Sequence, residues 1–569
     1  MNTEERINQW LSGPYDEETK NVIRRMQQEN DPELQESFYT ELDFGTGGLR
    51  GIMGVGPNRM NKYTVGTATQ GLANYLKISF PEKQISVAIA YDCRNNSDYF
   101  ASVAADVLSA NGIKVFLFDG LRPTPELSFT VRHLRCQAGI VITASHNPKE
   151  YNGYKVYWND GGQLVPPHDK NVITAVRAIS DIGQVKFDRD TDLVTGIGKG
   201  IDEIYLRQIM QIVLSPGAIE KQHRIPVVYT PLHGTGVMLI PKVLKRIGFG
   251  NILHVPEQDI NDGNFPTVKS PNPEEKSALE MAIAVAEANN AALVLATDPD
   301  ADRVGVGVRN QEGKIELLNG NQTAAILVYY TLTRLKETGK MPASPMMVKT
   351  IVTTDLLEKI AADFNVKMYD VLTGFKYIAE IIRLQEGKEK FIGGGEESYG
   401  YLGADFVRDK DAVMTCCMIA EAAAWAATQN KTLLDVLNDI YSKYGFYAED
   451  LLSLTKKGMN GQQEIADMMK SFRENPPAEI DGSQVVMIKD YKLRISKDLK
   501  TGATSDIQLP VSDVLQFYLA DGSKVTVRPS GTEPKIKFYF SVVSNESGSA
   551  AAQSAKEKLN KLSTVFNSK

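Results

Sequence analysis

The chain has 569 residues, 42% of them hydrophobic and 23% charged, and a formal net charge of −7. Such a composition is ordinary for a soluble globular protein, and the length suggests about four domains at roughly 150 residues each. The negative balance excludes a global basic field for nucleic acid, so an anionic ligand must be met by local cations.

Up to about residue 40 the chain is polar and helix-prone, and a glycine-rich segment follows, Phe44-Gly-Thr-Gly-Gly-Leu-Arg50-Gly51. Apolar runs then alternate with helical patterns: 85–90, a helix near 99–111, 115–118, and 139–143. Alternation of this kind argues for α/β layering. Residues 185–200, with Gly196-Ile-Gly-Lys-Gly200, read as a linker. The pattern restarts at Pro226-Val-Val-Tyr-Thr and runs to 291–296, then restarts near Asn319 with a helix and strands at 346–352 and 366–372. From about residue 450 the pattern changes: Val485-Val-Met-Ile, then two strands, 524–527 and 535–542, joined by Arg528-Pro-Ser-Gly-Thr-Glu-Pro534, then an Ala/Lys-rich helix. The fold class expected is α/β, with three α/β units and one smaller α+β unit.

Four cysteines are present, Cys93, Cys136, Cys416 and Cys417, and none is spaced as a C-x-x-C clamp. Unpaired thiols of this kind point to a reducing, cytoplasmic compartment. The N-terminus lacks a basic region followed by an apolar one, so no secretory signal is expected. Residues 414–427 are weakly polar but contain Glu421 and are too short to span a bilayer, so they read as a buried helix and no membrane partner is expected.

Two strand tips carry the chemistry. The run Gly139-Ile-Val-Ile-Thr-Ala ends on Ser145-His146-Asn147-Pro148, which delivers one hydroxyl to a loop. The run 291–296 ends on Asp298-Pro-Asp300-Ala-Asp302-Arg303. Alternating aspartates after a strand can turn several oxygens to one point, as a hard divalent cation requires, and open α/β sheets bind ligands at strand C-termini. An EF-hand is excluded, because Arg303 and Arg309 stand where Gly and Glu are needed. The plainer reading of the aspartates is a solvated acidic turn, and that of Ser145 is a turn or helix cap.

Other segments admit two readings each. Arg528-Pro-Ser530-Gly531-Thr532 offers backbone N–H groups and a charged fork to a phosphate, or is a plain hairpin. Gly393-Gly-Gly-Glu396-Glu-Ser398-Tyr-Gly400 suits sugar hydroxyls, or is a glycine-rich turn with solvated acids. No G-x-S-x-G elbow, dinucleotide fingerprint or P-loop is present. Asp300-Ala-Asp302-Arg-Val304 also satisfies D-x-D-x-[TV], the loop of haloacid-dehalogenase phosphatases, with Asp300 as nucleophile.

Taken in order, these segments resemble the α-D-phosphohexomutase family, of the phosphoglucomutase/phosphomannomutase type. The carriers are Phe44-Gly-Thr-Gly-Gly-Leu-Arg50-Gly, Tyr91-Asp-Cys-Arg94, Thr143-Ala-Ser145-His-Asn-Pro, Asn152-Gly-Tyr-Lys155, Asp298-Pro-Asp-Ala-Asp-Arg303, Thr373-Gly-Phe-Lys376, Gly395-Glu396-Glu-Ser398 and Arg528-Pro-Ser-Gly-Thr-Glu-Pro.

The resemblance implies four domains around a central cleft: three related α/β domains with mixed sheets (1–203, 204–316, 317–449) and an α+β domain with an antiparallel sheet (450–569). It implies interconversion of a glucose 1-phosphate and a 6-phosphate through a phosphoserine at Ser145 and a glucose 1,6-bisphosphate intermediate that also serves as activator. Phosphomannomutase, dual-specificity and phosphopentomutase activities are its alternatives. Asp298, Asp300 and Asp302 would hold Mg²⁺, with Ser145 as a further ligand. Arg50, Lys155, His146 and Arg303 would surround the transfer. Thr373, Gly374, Lys376, Glu396, Ser398 and Lys410 would contact the sugar phosphate, and Arg528, Ser530, Gly531 and Thr532 would hold the phosphate not being transferred. Lys155 and His233 are candidates for the proton transfer.

Overall fold

Residues 138–142, Ala-Gly-Ile-Val-Ile, are buried on both faces in the computed structural model, as a central strand with layers above and below it requires. The structure describes residues 2–45, 47–456, 461–530, 535–544, 546 and 548–567. They fall into two units, Met1–Gly320 with Phe375–Gly394 and Ser398–Thr432, and Asn321–Gly374 with Gly395–Glu397 and Leu433–Lys569.

In the first unit, the helix-prone start forms Thr3–Ser12, Glu17–Glu29 and Pro32–Phe38, each opened by a side-chain cap, Asn2, Asp16 and Asp31. Ile7, Trp10, Ile23, Leu34 and Phe38 close this bundle against Tyr63. A mixed sheet follows in the order Gly48–Ile52, Tyr151–Trp158, Ala138–Ile142, Ser86–Tyr91, Lys114–Phe118, Val194–Ile197. Its first two joins are antiparallel and the rest parallel. Helix Thr124–His133 lies on the central strand so closely that a Cβ on Gly139 would stand 2.5 Å from Val131 Cγ2.

The segment read as a linker is partly a strand. Val194–Ile197 pairs in parallel with Lys114–Phe118 at the sheet edge. An edge strand needs partners on one side only, and a Cβ on Gly196 would meet nothing within 4 Å, so glycine loses no packing there.

A second mixed sheet runs Ile315–Leu318, Val304–Arg309, Leu293–Thr297, Val227–Thr230, Ile252–His254, and again the strand ending in the aspartates is central and fully buried. Residues 414–427 sit within helix Ala412–Ala427, which is buried along most of its length and packs against Pro216–Lys221 and Ile240–Ile247.

In the second unit, Pro345–Thr350 pairs in parallel with Lys367–Val371. The C-terminal part is antiparallel, in the order Phe446–Thr455, Lys535–Ser544, Lys524–Pro529, Leu515–Leu519, Ser483–Asp490, Ile495–Asp498, Thr504–Asp506. Helices Gly461–Glu474 and Gly548–Asn567 cover it through Met469, Phe472, Leu562 and Phe566. Three α/β domains and one α+β domain therefore build the chain, as the alternation of periods implies.

Candidate active site

Ser145 stands at φ +52, left-handed and uncommon for serine, directly after the central strand. Its N–H donates to Thr143 Oγ1 at 2.8 Å, which turns the hydroxyl out of the strand direction. The Ser145 hydroxyl donates to Asp298 Oδ2 at 2.8 Å, across 153 residues of sequence, and lies 3.2 Å from His146 Nδ1. The serine loop and the acidic loop thus meet in one unit.

The acidic loop closes on itself. Asp298 Oδ1 accepts the N–H groups of Asp302 and Arg303, both at 3.1 Å, and Ala301 sits at φ +49. This tight turn sends Asp298, Asp300 and Asp302 inward, so that one carboxylate oxygen from each lies within 4.8 Å of the others. All three are buried. Burial, then Asp300 and Asp302, push the Asp298 carboxyl well above the usual range. Burial also opposes ionisation of Asp300, but the Lys155 ammonium outweighs it and holds that carboxyl low.

Asp300 Oδ1 and Asp302 Oδ1 have no hydrogen-bond partner among the described residues. Two orphaned buried oxygens beside a third carboxylate are costly unless a cation completes them, and an all-oxygen set suits a hard divalent ion. The donor set fits a metal.

Cations of the chain ring this cluster. Lys155 Nζ lies 2.8 Å from Asp300 Oδ2 and 3.7 Å from Asp302 Oδ2. Lys410 Nζ lies 3.2 Å from Asp302 Oδ2 and 3.3 Å from Asp409 Oδ1. Arg303 pairs with Glu274 through Nη1 and keeps Nε 3.8 Å from Asp302 Oδ1. Arg50 reaches the serine loop by donating to Asn147 Oδ1 at 3.3 Å. Its strand is pressed on its neighbour: Gly48, at φ +133, would place a Cβ 1.8 Å from the Tyr154 carbonyl oxygen, so only glycine fits. Burial, then Arg303 and Arg50, push His146 down to about 2, so its ring is neutral.

Three further residues have no motif to announce them. Thr124, at the start of helix Thr124–His133, donates through Oγ1 to Asp300 Oδ2 at 3.0 Å and through its N–H to the Asp300 carbonyl at 2.9 Å. Tyr157, two residues beyond Lys155 on the same strand face, donates to Asp409 Oδ2 at 2.5 Å and so steers the neighbour of Lys410. Glu274 takes up Arg303. The segment after Ser398 is stitched to the acidic loop as well: the Val304 N–H donates to the Tyr399 carbonyl and that of Ala412 to the Ala301 carbonyl, both at 3.1 Å.

Not every candidate joins this cluster. His233 is fully buried and has both ring nitrogens engaged, Nδ1 with the Ile260 carbonyl and Nε2 with Thr267 Oγ1, each at 2.8 Å. It holds a turn of its own sheet and has no nitrogen left for proton transfer. Burial shifts the Lys376 ammonium down, and the Asp169 and Glu380 carboxylates oppose that shift. Ser398 is half-buried. In the second unit Glu396 accepts the Gly374 N–H at 2.9 Å, and the Thr373 hydroxyl is buried nearby in sequence. Arg528 donates to the Tyr539 hydroxyl at 3.2 Å, and the Ser530 N–H donates to the Lys535 carbonyl at 2.7 Å. Gly531 and Thr532 lie outside the described residues.

Residues 41–182, 203–313 and 319–444 match the alpha/beta/alpha domains I, II and III of phosphoglucomutase/phosphomannomutase, and 468–557 match its C-terminal domain. The chain belongs to the phosphoglucomutase/phosphomannomutase family. It is an enzyme of that family, of the isomerase class that moves a phosphoryl group. The chain is 39% identical over 536 residues to the phosphoglucomutase of Staphylococcus aureus strain MRSA252, covering 94% of this chain and 95% of that one. It is 39% identical to that of Staphylococcus haemolyticus over 513 residues, 89% and 91%.

The fold is shared with the open form of Paramecium parafusin, a phosphoglucomutase (TM-score 0.67, 17% identity, 93% and 96% covered). It is shared too with a phosphoglucomutase/phosphomannomutase family protein of Burkholderia thailandensis (TM-score 0.64, 18% identity, 91% and 97%). Family membership leaves the haloacid-dehalogenase reading of Asp300 without support, and Asp300 is in any case held by Lys155 and Thr124. Among the described residues no helix is long and apolar enough to cross a membrane.

Proposed function

We propose that this chain interconverts α-D-glucose 1-phosphate and glucose 6-phosphate, with Ser145 as the phosphoserine. The observation that carries this reading is the 2.8 Å contact of the Ser145 hydroxyl with Asp298 inside a ring of buried carboxylates and cations. The name phosphoglucomutase on the curated relatives supports glucose as the sugar. The four-domain division at 1–203, 204–316, 317–449 and 450–569 belongs to the same reading.

Asp298, Asp300 and Asp302, with the Ser145 oxygen, would hold Mg²⁺, which when bound neutralises charge on the transferring phosphoryl group. The chain's own contribution is positioning and fixed positive charge. Lys155, Lys410, Arg303 and Arg50 supply cations to the phosphoryl oxygens. Neutral His146 supports the Ser145 oxygen without adding charge. Ser145 passes its phosphoryl group to the free sugar hydroxyl, giving glucose 1,6-bisphosphate: the bond from the Ser145 oxygen to phosphorus breaks, the bond from the sugar oxygen to phosphorus forms, and the sugar hydroxyl's proton ends on the Ser145 oxygen. The bisphosphate turns end for end, and Ser145 takes the other phosphoryl group. The same bisphosphate, added in trace, charges unphosphorylated enzyme and so acts as activator.

Two sugar orientations require contacts indifferent to which end reacts. Glu396 and Ser398 are assigned to the ring hydroxyls, and Thr373, Gly374 and Lys376 to the sugar phosphate. Arg528 and Ser530, with Gly531 and Thr532 of the same motif, cradle the phosphate that is not transferring. Four unbridged thiols suit a cytoplasmic setting.

The test is glucose 1-phosphate with Mg²⁺ and a trace of glucose 1,6-bisphosphate. Glucose 6-phosphate should form without free phosphate. Free phosphate as the main product overturns the reading. Ser145→Ala should abolish exchange while leaving the fold; full activity in that variant removes the mechanism. Rates on glucose, mannose, glucosamine and ribose 1-phosphates, side by side, test the sugar.

A further inference from the structure

Arg94 is buried, and its hydrogen bonds go to the backbone of the serine loop. One terminal nitrogen, Nη2, donates to the carbonyls of Ser145, at 2.6 Å, and Asn147. The other, Nη1, donates to the carbonyls of Pro148, at 2.8 Å, and Tyr151, at 3.1 Å. Nε stands 3.4 Å from Asp92 Oδ2, and both side chains of that ion pair are fully buried. Asp92 in turn accepts the Arg94 N–H at 2.9 Å and the Ser97 hydroxyl at 2.7 Å, which fixes it to the start of helix Ser97–Ala110. The guanidinium face lies 5.1 Å from the centre of the Phe265 ring.

Four carbonyl oxygens of one loop converging on one guanidinium is an arrangement with a cost. Carbonyls that point together repel one another, and the loop also holds Ser145 in a left-handed backbone conformation. Only a cation with a planar fork of donors meets four acceptors at once; an ammonium has three donors on one atom and no fork. The loop's shape, and with it the direction of the Ser145 hydroxyl, depends on that fork.

We propose that Arg94 is the positioning residue of this site: it sets the Ser145 oxygen against Asp298 by gathering the carbonyls of Ser145, Asn147, Pro148 and Tyr151. It touches no reacting atom in this arrangement and acts through the loop. The proposal rests on Ser145 being the phosphorylated residue. It predicts a loss in turnover rather than in substrate affinity, because Glu396, Ser398 and Arg528, which would hold the sugar phosphate, are not among its contacts.

The test uses the full-length, Mg²⁺-loaded enzyme with Arg94→Ala and Arg94→Lys. In both, kcat should fall about 100-fold, the cost of misplacing a reacting atom by about 1 Å. KM for glucose 1-phosphate should stay within about threefold, since ground-state binding is untouched. Millimolar guanidinium should restore part of the Arg94→Ala rate, whereas urea at the same concentration should not. That readout separates positioning from mere stability, because a weakened fold is harmed further by guanidinium. If Arg94→Ala does not fold, Arg94→Lys decides alone: wild-type kcat there overturns the proposal, and a large kcat loss at unchanged KM supports it. Mass spectrometry of wild-type enzyme after glucose 1,6-bisphosphate separates the two levels. No phosphate on Ser145 removes the underlying reading. Phosphate on Ser145 together with near-wild-type kcat in both variants overturns the role of Arg94 alone.

Discussion

Replacing Thr124 by Val tests whether the acidic cluster is a metal site held in shape by a neighbouring helix. The substitution removes one hydroxyl and keeps the shape, and it leaves the backbone bond from the Thr124 N–H to the Asp300 carbonyl, at 2.9 Å, so the helix stays docked. What disappears is the 3.0 Å hydrogen bond to Asp300 Oδ2. A hydrogen bond to a charged group contributes about 1.5–3 kcal/mol. Lys155 remains on the same oxygen at 2.8 Å, which places the loss at the lower end, about 1.5 kcal/mol. That is about a tenfold weaker hold on the metal, the lower edge of what loss of a ligand's supporting partner typically costs. The assay is mutase rate against Mg²⁺ concentration. The half-activation point should move up about tenfold, and kcat at saturation should return to within about twofold of wild type. An activation curve that superimposes on wild type would refute the reasoning. So would a lowered kcat with unchanged Mg²⁺ dependence, which would place Thr124 in catalysis instead.

Two further substitutions probe buried charge. Burial holds the Asp411 carboxyl up at about 7 from 3.8, although the Met414 N–H and the Tyr205 hydroxyl bond it. A raised carboxyl contributes stability that is full below about pH 4 and is lost as pH rises through about 7. Asp411→Asn, which can still cap its helix, should therefore raise the melting temperature at pH 8, by up to about 4 kcal/mol of equivalent stability, and by much less at pH 5; equal gains at both pH values would count against it. Lys349 is fully buried between Asp370 Oδ1, at 2.7 Å, and Asp355 Oδ1, at 3.0 Å. Lys349→Met leaves Asp370 solvated at the surface and Asp355 still paired with Lys524 at 2.8 Å, so the loss should be about 1 kcal/mol or less. A loss of about 3 kcal/mol or more in the melting experiment would show that a buried charge had been left unpaired.

Local periodicity is enough to announce what is local. A fully apolar run of strand length ending in a polar turn marks Ala138–Ile142 and Leu293–Thr297, because a strand buried on both faces has no polar position to spare. Ser145 and the three aspartates stand out as candidates at those tips, but a capping serine and a solvated acidic turn have the same residue pattern, and only the contact between the two loops separates the readings. Which tips meet is decided by sheet order and domain packing, which no residue pattern encodes. The Ser145–Asp298 contact spans 153 residues, Thr124–Asp300 spans 176, and Tyr157–Asp409 spans 252.

The same limit explains the misses. His233 resembles a base in sequence and is consumed by a carbonyl and a hydroxyl 27 and 34 residues away. Residues 194–197 resemble a linker, since glycine weakens a strand, yet a sheet edge accepts them because one face of the ladder is open. Thr124 and Arg94 are unremarkable as residue types. They gain their places because tertiary folding puts a helix start under one carboxylate and a guanidinium under four carbonyls, and hydrogen-bond geometry, unlike hydrophobic periodicity, exists only once the backbone has converged.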